Sequence, residues 1–252
     1  MQHGFGSGTI WGTPLTDAYG NALANPTPVL VGVLQDVSVD ISFDVKQLYG
    51  QNQFPVAIGR GKGKIDLKAS FGQLNGATLN NLIFGQTVTS GSTQNYRDLT
   101  GSVIPTTPFT ITPTVPSSGT WTADLGVLNS NGVPLTRVAS APTTGQYSVA
   151  AGVYTFAAAD TGTTVFISFQ YTLTSTVAMS QIISNVGMGA APTFRFDLTS
   201  GYAAKGLSLS LFNCMSTKLT LATKQDDFMI PEFTASAFAD GQNRVGRWST
   251  SE

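Results

Sequence analysis

The 252-residue chain contains one cysteine, one histidine and little charge. Cys214 alone cannot form an intramolecular disulfide, and with His3 it cannot complete the ligand set of a structural zinc. His3 sits in a glycine-rich N-terminus, so a serine hydrolase triad lacks its usual base. Lys and Arg number 13 against 14 Asp and Glu, without the one-sided basic cluster of a nucleic-acid surface. No window approaches the roughly 18 apolar residues of a membrane helix, and Met1–Thr13 lacks a basic segment followed by an apolar run. These absences lead us to expect a soluble chain made in a reducing cytoplasm, not an enzyme, with no cofactor, no metal and no membrane insertion.

What the chain does hold is Thr, Ser, Gly, Val and Phe, the residues of short strands and tight turns. An all-β fold is expected. Residues 1–28 read as an extended arm, because glycines and prolines interrupt regular pairing; Trp11, Leu15 and Tyr19 are its candidate anchors, either on a partner or on the protein's own core. From Val37 to Val45 apolar odd positions alternate with polar even ones, and from Lys62 to Phe71 the alternation returns. These arms form an antiparallel hairpin, with Asp44 expected opposite Lys64 and Asp40 opposite Lys68. Between them Gln47–Gly61 reads as a long loop, with Tyr49, Gln51, Gln53, Phe54 and Pro55 as candidate contacts for another chain. Asn75–Phe84 is the best helix candidate, stopped by Gly85.

Residues 107–174 hold short strands with the spacing of a small β-sandwich, with Leu125, Val127, Tyr154, Phe156, Val165, Ile167, Phe169 and Tyr171 as its expected core. This sandwich is read as an insertion between 29–106 and 175–252. The main domain resumes near Val177 and forms a second hairpin from Phe194 to Leu211, with Cys214 a small buried residue at its end.

Few residues suggest chemistry. Gly59–Ile65 has the glycines and lysines of a phosphate loop, but Lys64 is followed by Ile65 and a strand rather than by Ser or Thr and a helix. Asp36, Asp40 and Asp44 lie along one strand face, where residues four apart are separated by about 13 Å, too far for one cation. Asp226 and Asp227 are adjacent and would diverge on a strand. The aromatic residues alternate with aliphatic ones as core residues do, which leaves a carbohydrate-binding module as a minor alternative.

Gly32–Asp40, Gln47–Gln51, Phe54–Ala57, Gly61–Ile65 and Gly76–Phe84 resemble the major tail tube subunits of tailed bacteriophages, as do Gly152–Asp160 and Gln225–Phe233. The resemblance implies a tail-tube β-sandwich or barrel with one flanking helix, carrying an immunoglobulin-like insertion. It further implies hexameric rings that stack, with loop 47–61 and arm 1–28 reaching neighbours, and a virion location in the tail after assembly in the host cytoplasm. DNA would pass through the lumen without specific binding, along a face bearing Asp36, Asp40, Asp44, Lys64, Asp66 and Lys68. Partners would be further copies, a terminator, a tape measure and, in a contractile tail, a sheath. A head decoration or head-tail connector protein is the structural alternative.

Overall fold

The computed structural model describes residues 6, 8–73, 76–174, 178–202 and 205–251. His3, Asn75 and Val177, which entered the sequence reading, lie outside the described residues. The fold is all-β. The first strands are β1 (Thr9–Pro14), β2 (Val29–Leu30), β3 (Leu34–Tyr49) and β4 (Pro55–Phe71), followed by one helical turn, α1 (Gly76–Leu79). Next come β5 (Thr89–Ser90), β6 (Ser92–Tyr96), β7 (Ser102–Val103), β8 (Thr110–Ile111), β9 (Thr120–Asn129) and β10 (Thr136–Arg137). Then follow β11 (Gln146–Ala150), β12 (Val153–Phe156), β13 (Thr164–Leu173) and β14 (Met179–Ser180). The last are β15 (Thr193–Tyr202), β16 (Lys205–Thr220), β17 (Glu232–Phe238) and β18 (Gly246–Thr250).

The chain divides into two compact units, Met1–Thr87 with Gln181–Glu252, and Val88–Ser180. The second is wider than the sequence reading of 107–174. The polar stretch before residue 107 supplies β6, which pairs with β13, and β5 pairs with β14. Such short polar strands carry no periodic signal of their own; their pairing is imposed by a neighbour.

In the first unit eight strands form one sheet in the order β2-β1-β15-β16-β17-β4-β3, with β18 beside β16. One continuous sheet thus takes the place of the two packed sheets that the resemblance implied. Ile10 of β1, Leu67 and Ala69 of β4, Phe194 and Phe196 of β15, Leu211 and Cys214 of β16 and Phe233 of β17 meet in a single core. Each large side chain buried there contributes about 1.5–3 kcal/mol. Burial pushes the Cys214 thiol up to about 12, so it stays protonated and inert.

The N-terminal segment is not a free arm over residues 9–14: β1 pairs with β15 along its whole length. Gly12 does not break the strand, because a Cβ there would stand 2.4 Å from Cδ2 of Leu82; its absence lets the helical segment pack onto the sheet. That segment is shorter in α-helix than expected. After α1, Asn80–Phe84 is a π turn closed by Gly85 N–H donating to Asn80 O at 2.6 Å. The buried Asn80 amide fastens it, donating to Gln86 O and accepting from Gln86 N–H at 2.7 and 3.0 Å.

The second unit is a sandwich of two sheets, β10-β11-β12-β8 and β6-β13-β7 with β9 on the other side of β13. Val127, Tyr154, Phe156, Val165, Ile167, Phe169 and Tyr171 are buried together. Leu125 is a correction: a bulge between Ser168 and Phe169 lets Gly126 and Asp124 pair and leaves Leu125 exposed. The same bulge turns Asp124 inward, its side chain 3% exposed, where it accepts from Tyr147 Oη at 2.7 Å and Tyr154 Oη at 3.1 Å. Desolvation, the bond to Asp124 and its charge raise the Tyr147 hydroxyl pKa. This carboxylate ties β9 to β11 and β12 across the sandwich. Asp124→Ala leaves two buried hydroxyls without an acceptor, and we expect it to lower stability by about 3 kcal/mol, checked by urea unfolding of the full chain followed by tyrosine fluorescence.

Candidate functional site

Strands β3 and β4 are far longer than the sheet that holds them. β17 supports β4 only from Ile65 to Ser70, while β3 and β4 remain paired out to Tyr49 and Pro55. The loop expected at 47–61 is therefore mostly strand, and the connection is residues 50–54 alone. Beyond Ile65 the two strands project as a free ribbon for about 30 Å at about 3.3 Å per residue.

The ribbon's register corrects the sequence reading by two residues. Asp40 stands opposite Asp66, Ser42 opposite Lys64 and Ser38 opposite Lys68. A two-residue slip keeps every side chain on its face, so Val37, Val39 and Ile41 still share one face with Ala69, Leu67 and Ile65, which are now their direct partners. Charge pairing alone misjudged the register because the lysines find partners elsewhere. Lys64 pairs along its own strand with Asp66 at 2.6 Å, and Lys68 lies 3.6 Å from Glu232 of β17.

A bulge between Phe43 and Val45 then shifts the frame, so that Val45 faces Arg60 and Gln47 faces Ile58. Gly63 makes room for the Phe43 ring, which would meet a Cβ there at 2.9 Å. The Arg60 guanidinium sits 4.6 Å from the same ring centroid. Phe43, Val45, Leu48, Tyr49, Val56 and Ile58 are all exposed, and Phe54 at the tip is 80% exposed. The Tyr49 hydroxyl donates to Gln47. Gln51, Gln53 and Phe54 occupy the tip, while Tyr49 and Pro55, expected in the same loop, are the last and first residues of β3 and β4.

The residues expected to line a channel share one face of the sheet. Asp36, Asp40 and Asp44 on β3 and Lys64, Asp66 and Lys68 on β4 continue into Glu232, Thr234 and Ser236 on β17. Asp40, Lys64, Asp66, Lys68, Thr234 and Ser236 border a shallow depression of about 330 Å³. Asp66 accepts from Ser236 Oγ at 2.7 Å, and its bonds to Lys64 and Ser236 hold its carboxyl below the usual range. Among the described residues no group of three or more His, Cys, Asp or Glu side chains could hold a metal ion, and no helix is long and apolar enough to cross a membrane.

Trp11 is 39% exposed on this same sheet, its Cα opposite Asp197. Leu15 is half-buried, its N–H donating to Thr193 O at 2.7 Å, and Tyr19 is exposed on a turn that Asp17 caps. The structure thus brings the hairpin residues together and leaves the three arm residues apart from them. Two features escaped the sequence reading. The β16–β17 loop, at the sheet end opposite the ribbon, exposes Phe228 by 87% and Met229. A cluster of Arg195, Phe212, Arg244 and Arg247 occupies the polar face; the alternation of Arg195 and Asp197 was visible, but the approach of Arg244 and Arg247 from the β17–β18 segment was not. No protein-family model matches the chain, and no curated protein matches it.

The depressed Asp66 pKa has a defined sign. Its contribution is present above the ordinary 3.8 and is lost as pH falls through the lower folded-state value. We expect the stability difference between wild type and Asp66→Asn to be constant near neutrality and to vanish in acid, and the Asp66 carboxyl resonance to titrate below 3.8.

Proposed function

We propose that the protein is a structural subunit that assembles with copies of itself into stacked hexameric rings, the tail tube of a tailed bacteriophage through which DNA passes. The observation that carries this reading is the free ribbon. A two-stranded hairpin is marginal in water by itself, and this one exposes apolar side chains over its whole projecting length. A surface of that kind calls for a partner.

The sheet supports repeated association of unlike surfaces. One edge is the 16-residue strand β3, and the opposite edge is the two-residue β2 beside β1. Long free edges invite pairing with another chain, and joining unlike edges in successive copies generates a ring when the rotation closes. The ends of the sheet differ as well, with the ribbon on one and the Phe228 loop on the other, which suits head-to-tail stacking.

The polar face suits passage of DNA without retention. Lys64, Lys68 and Arg195 are matched by Asp66, Glu232 and Asp197 within 3.6 Å, and a neutralised cation releases few condensed counterions from a duplex. A terminator, a tape measure and, in a contractile tail, a sheath are partners of this reading.

Electron microscopy of the purified protein tests it: six-fold rings stacked around a pore are expected, and a stable monomer or trimer at high concentration would overturn it. Replacing residues 44–62 by Asn-Gly closes the hairpin at Phe43 and Gly63, which already pair. That variant keeps the core, changes stability by less than about 1 kcal/mol and forms no stacks; normal tube lengths would refute the role of the ribbon. The insertion is closed at its mouth by Thr89 and Ser180, which pair directly. Excising residues 88–180 is expected to leave rings intact by the same microscopy.

A further inference from the structure

A cluster of three arginines stands on the polar face of the main sheet. Arg247 of β18 is the cross-strand partner of Ser210 on β16, and Ser210 is in turn the partner of Asp197 on β15. A bulge between Phe194 and Phe196 offsets β16 at Phe212, whose N–H donates to Val245 O at 2.9 Å and holds the β17–β18 loop alongside. Arg195 donates through Nε and Nη2 to Asp197 at 2.9 and 2.8 Å, and Arg244 through the same atoms to Asp240 Oδ2 at 3.0 and 2.8 Å. Their guanidinium carbons lie 5.9 and 4.9 Å from the centroid of the Phe212 ring. All three arginines border one depression of about 360 Å³.

The charges there do not balance. Asp197 and Asp240 each take one guanidinium, and Arg247 has no carboxylate among the described residues. Arg195 and Arg244 each keep Nη1 outside their carboxylate bonds, and with Arg247 they border the same depression. Lys218, elsewhere on this face, also lacks an ion pair among the described residues but has no second cation beside it in such a depression. Neighbouring guanidinium forks with one positive charge in excess suit the oxygens of a phosphate in chemistry and sign.

We infer that the Arg195, Arg244 and Arg247 depression is an oxyanion site that takes a backbone phosphate of DNA. The site rests on the arginine geometry, and its ligand rests on the tube reading above. The depression is open and gathers three guanidinium groups at one place on a face where Lys64 and Lys68 are paired, so a passing duplex meets that excess charge locally. One excess cation per subunit makes a brief contact, not a holding one.

The test is fluorescence anisotropy of a labelled duplex of about 20 base pairs with the full-length protein at low salt, comparing Arg247→Gln, Arg247→Lys and Lys218→Gln. Arg247→Gln is expected to weaken binding about threefold to tenfold and to reduce the salt slope by about one. Arg247→Lys should recover part of the loss, and Lys218→Gln should change little. Inorganic phosphate should displace the duplex, and a glutamate-rich peptide at equal ionic strength should not. Equal weakening by Arg247→Gln and Lys218→Gln, no weakening by either, or displacement by the peptide as readily as by phosphate would overturn the inference. Electron micrographs of the same samples separate the two readings. Rings without an Arg247 effect reject the site alone, and an Arg247 effect in protein that never forms rings rejects the tube and DNA as ligand while retaining a phosphate site.

Discussion

The pairing of β4 with β17 is the constraint on which the rest of the first unit depends. It joins Ile65–Ser70 to Glu232–Ala237, residues separated by most of the chain. Leu67 and Ala69 face Ala235 and Phe233 in the core, while Asp66 and Lys68 face Ser236 and Thr234 on the polar side. Without it the β3–β4 ribbon would be an isolated hairpin, too weak to persist. With it, one half of the ribbon is held in register and the other half projects with a fixed face and direction.

That division explains why an apolar, exposed ribbon is tolerable. Its inner half meets the core, so the residues beyond Ile65 need only continue a ladder already nucleated. The bulge at Asp44 and the room left by Gly63 turn the frame there, which adds twist and separates the supported half from the free one. The two lysines at the supported half are satisfied locally, Lys64 by Asp66 and Lys68 by Glu232. The ribbon's outer half therefore offers mainly side-chain surface and main-chain edges, the two things another copy can use.

The sequence made the all-β class legible because alternation over Val37–Val45 and Ile65–Phe71 has one reading, and face assignment survives any even slip. Register did not survive, because cross-strand charge pairs are worth too little to compete with β17 for Lys68 and with Asp66 for Lys64. The outer ribbon was read as a loop because Gln47–Tyr49 and Pro55–Gly61 have neither a buried side nor a fixed period. A bulge hid Leu125, because an extra residue reverses parity from that point on. Tyr49, Gln51, Gln53, Phe54 and Pro55 were expected as contacts on a long loop, but the paired strands that carry them were not.

The closed mouth of the insertion bears on how the chain folds. The strands that complete the main sheet, β15 to β18, follow the insertion, so β1 and β4 must find them across a long stretch of chain. Most insertion contacts are internal to Val88–Ser180, which lets that unit form without waiting for the sheet. Once it has, the Thr89 and Ser180 pairing draws Gln86 and Ser184 together, with Ser184 Oγ 3.3 Å from Gln86 Oε1. The loops that must then close between β1 and β15 and between β4 and β17 are roughly halved, a saving of about 0.6 kcal/mol in closure entropy. Order of synthesis and order of folding thereby agree: the insertion leaves the ribosome before β15, and it acts as a clamp that shortens the route to the last strands.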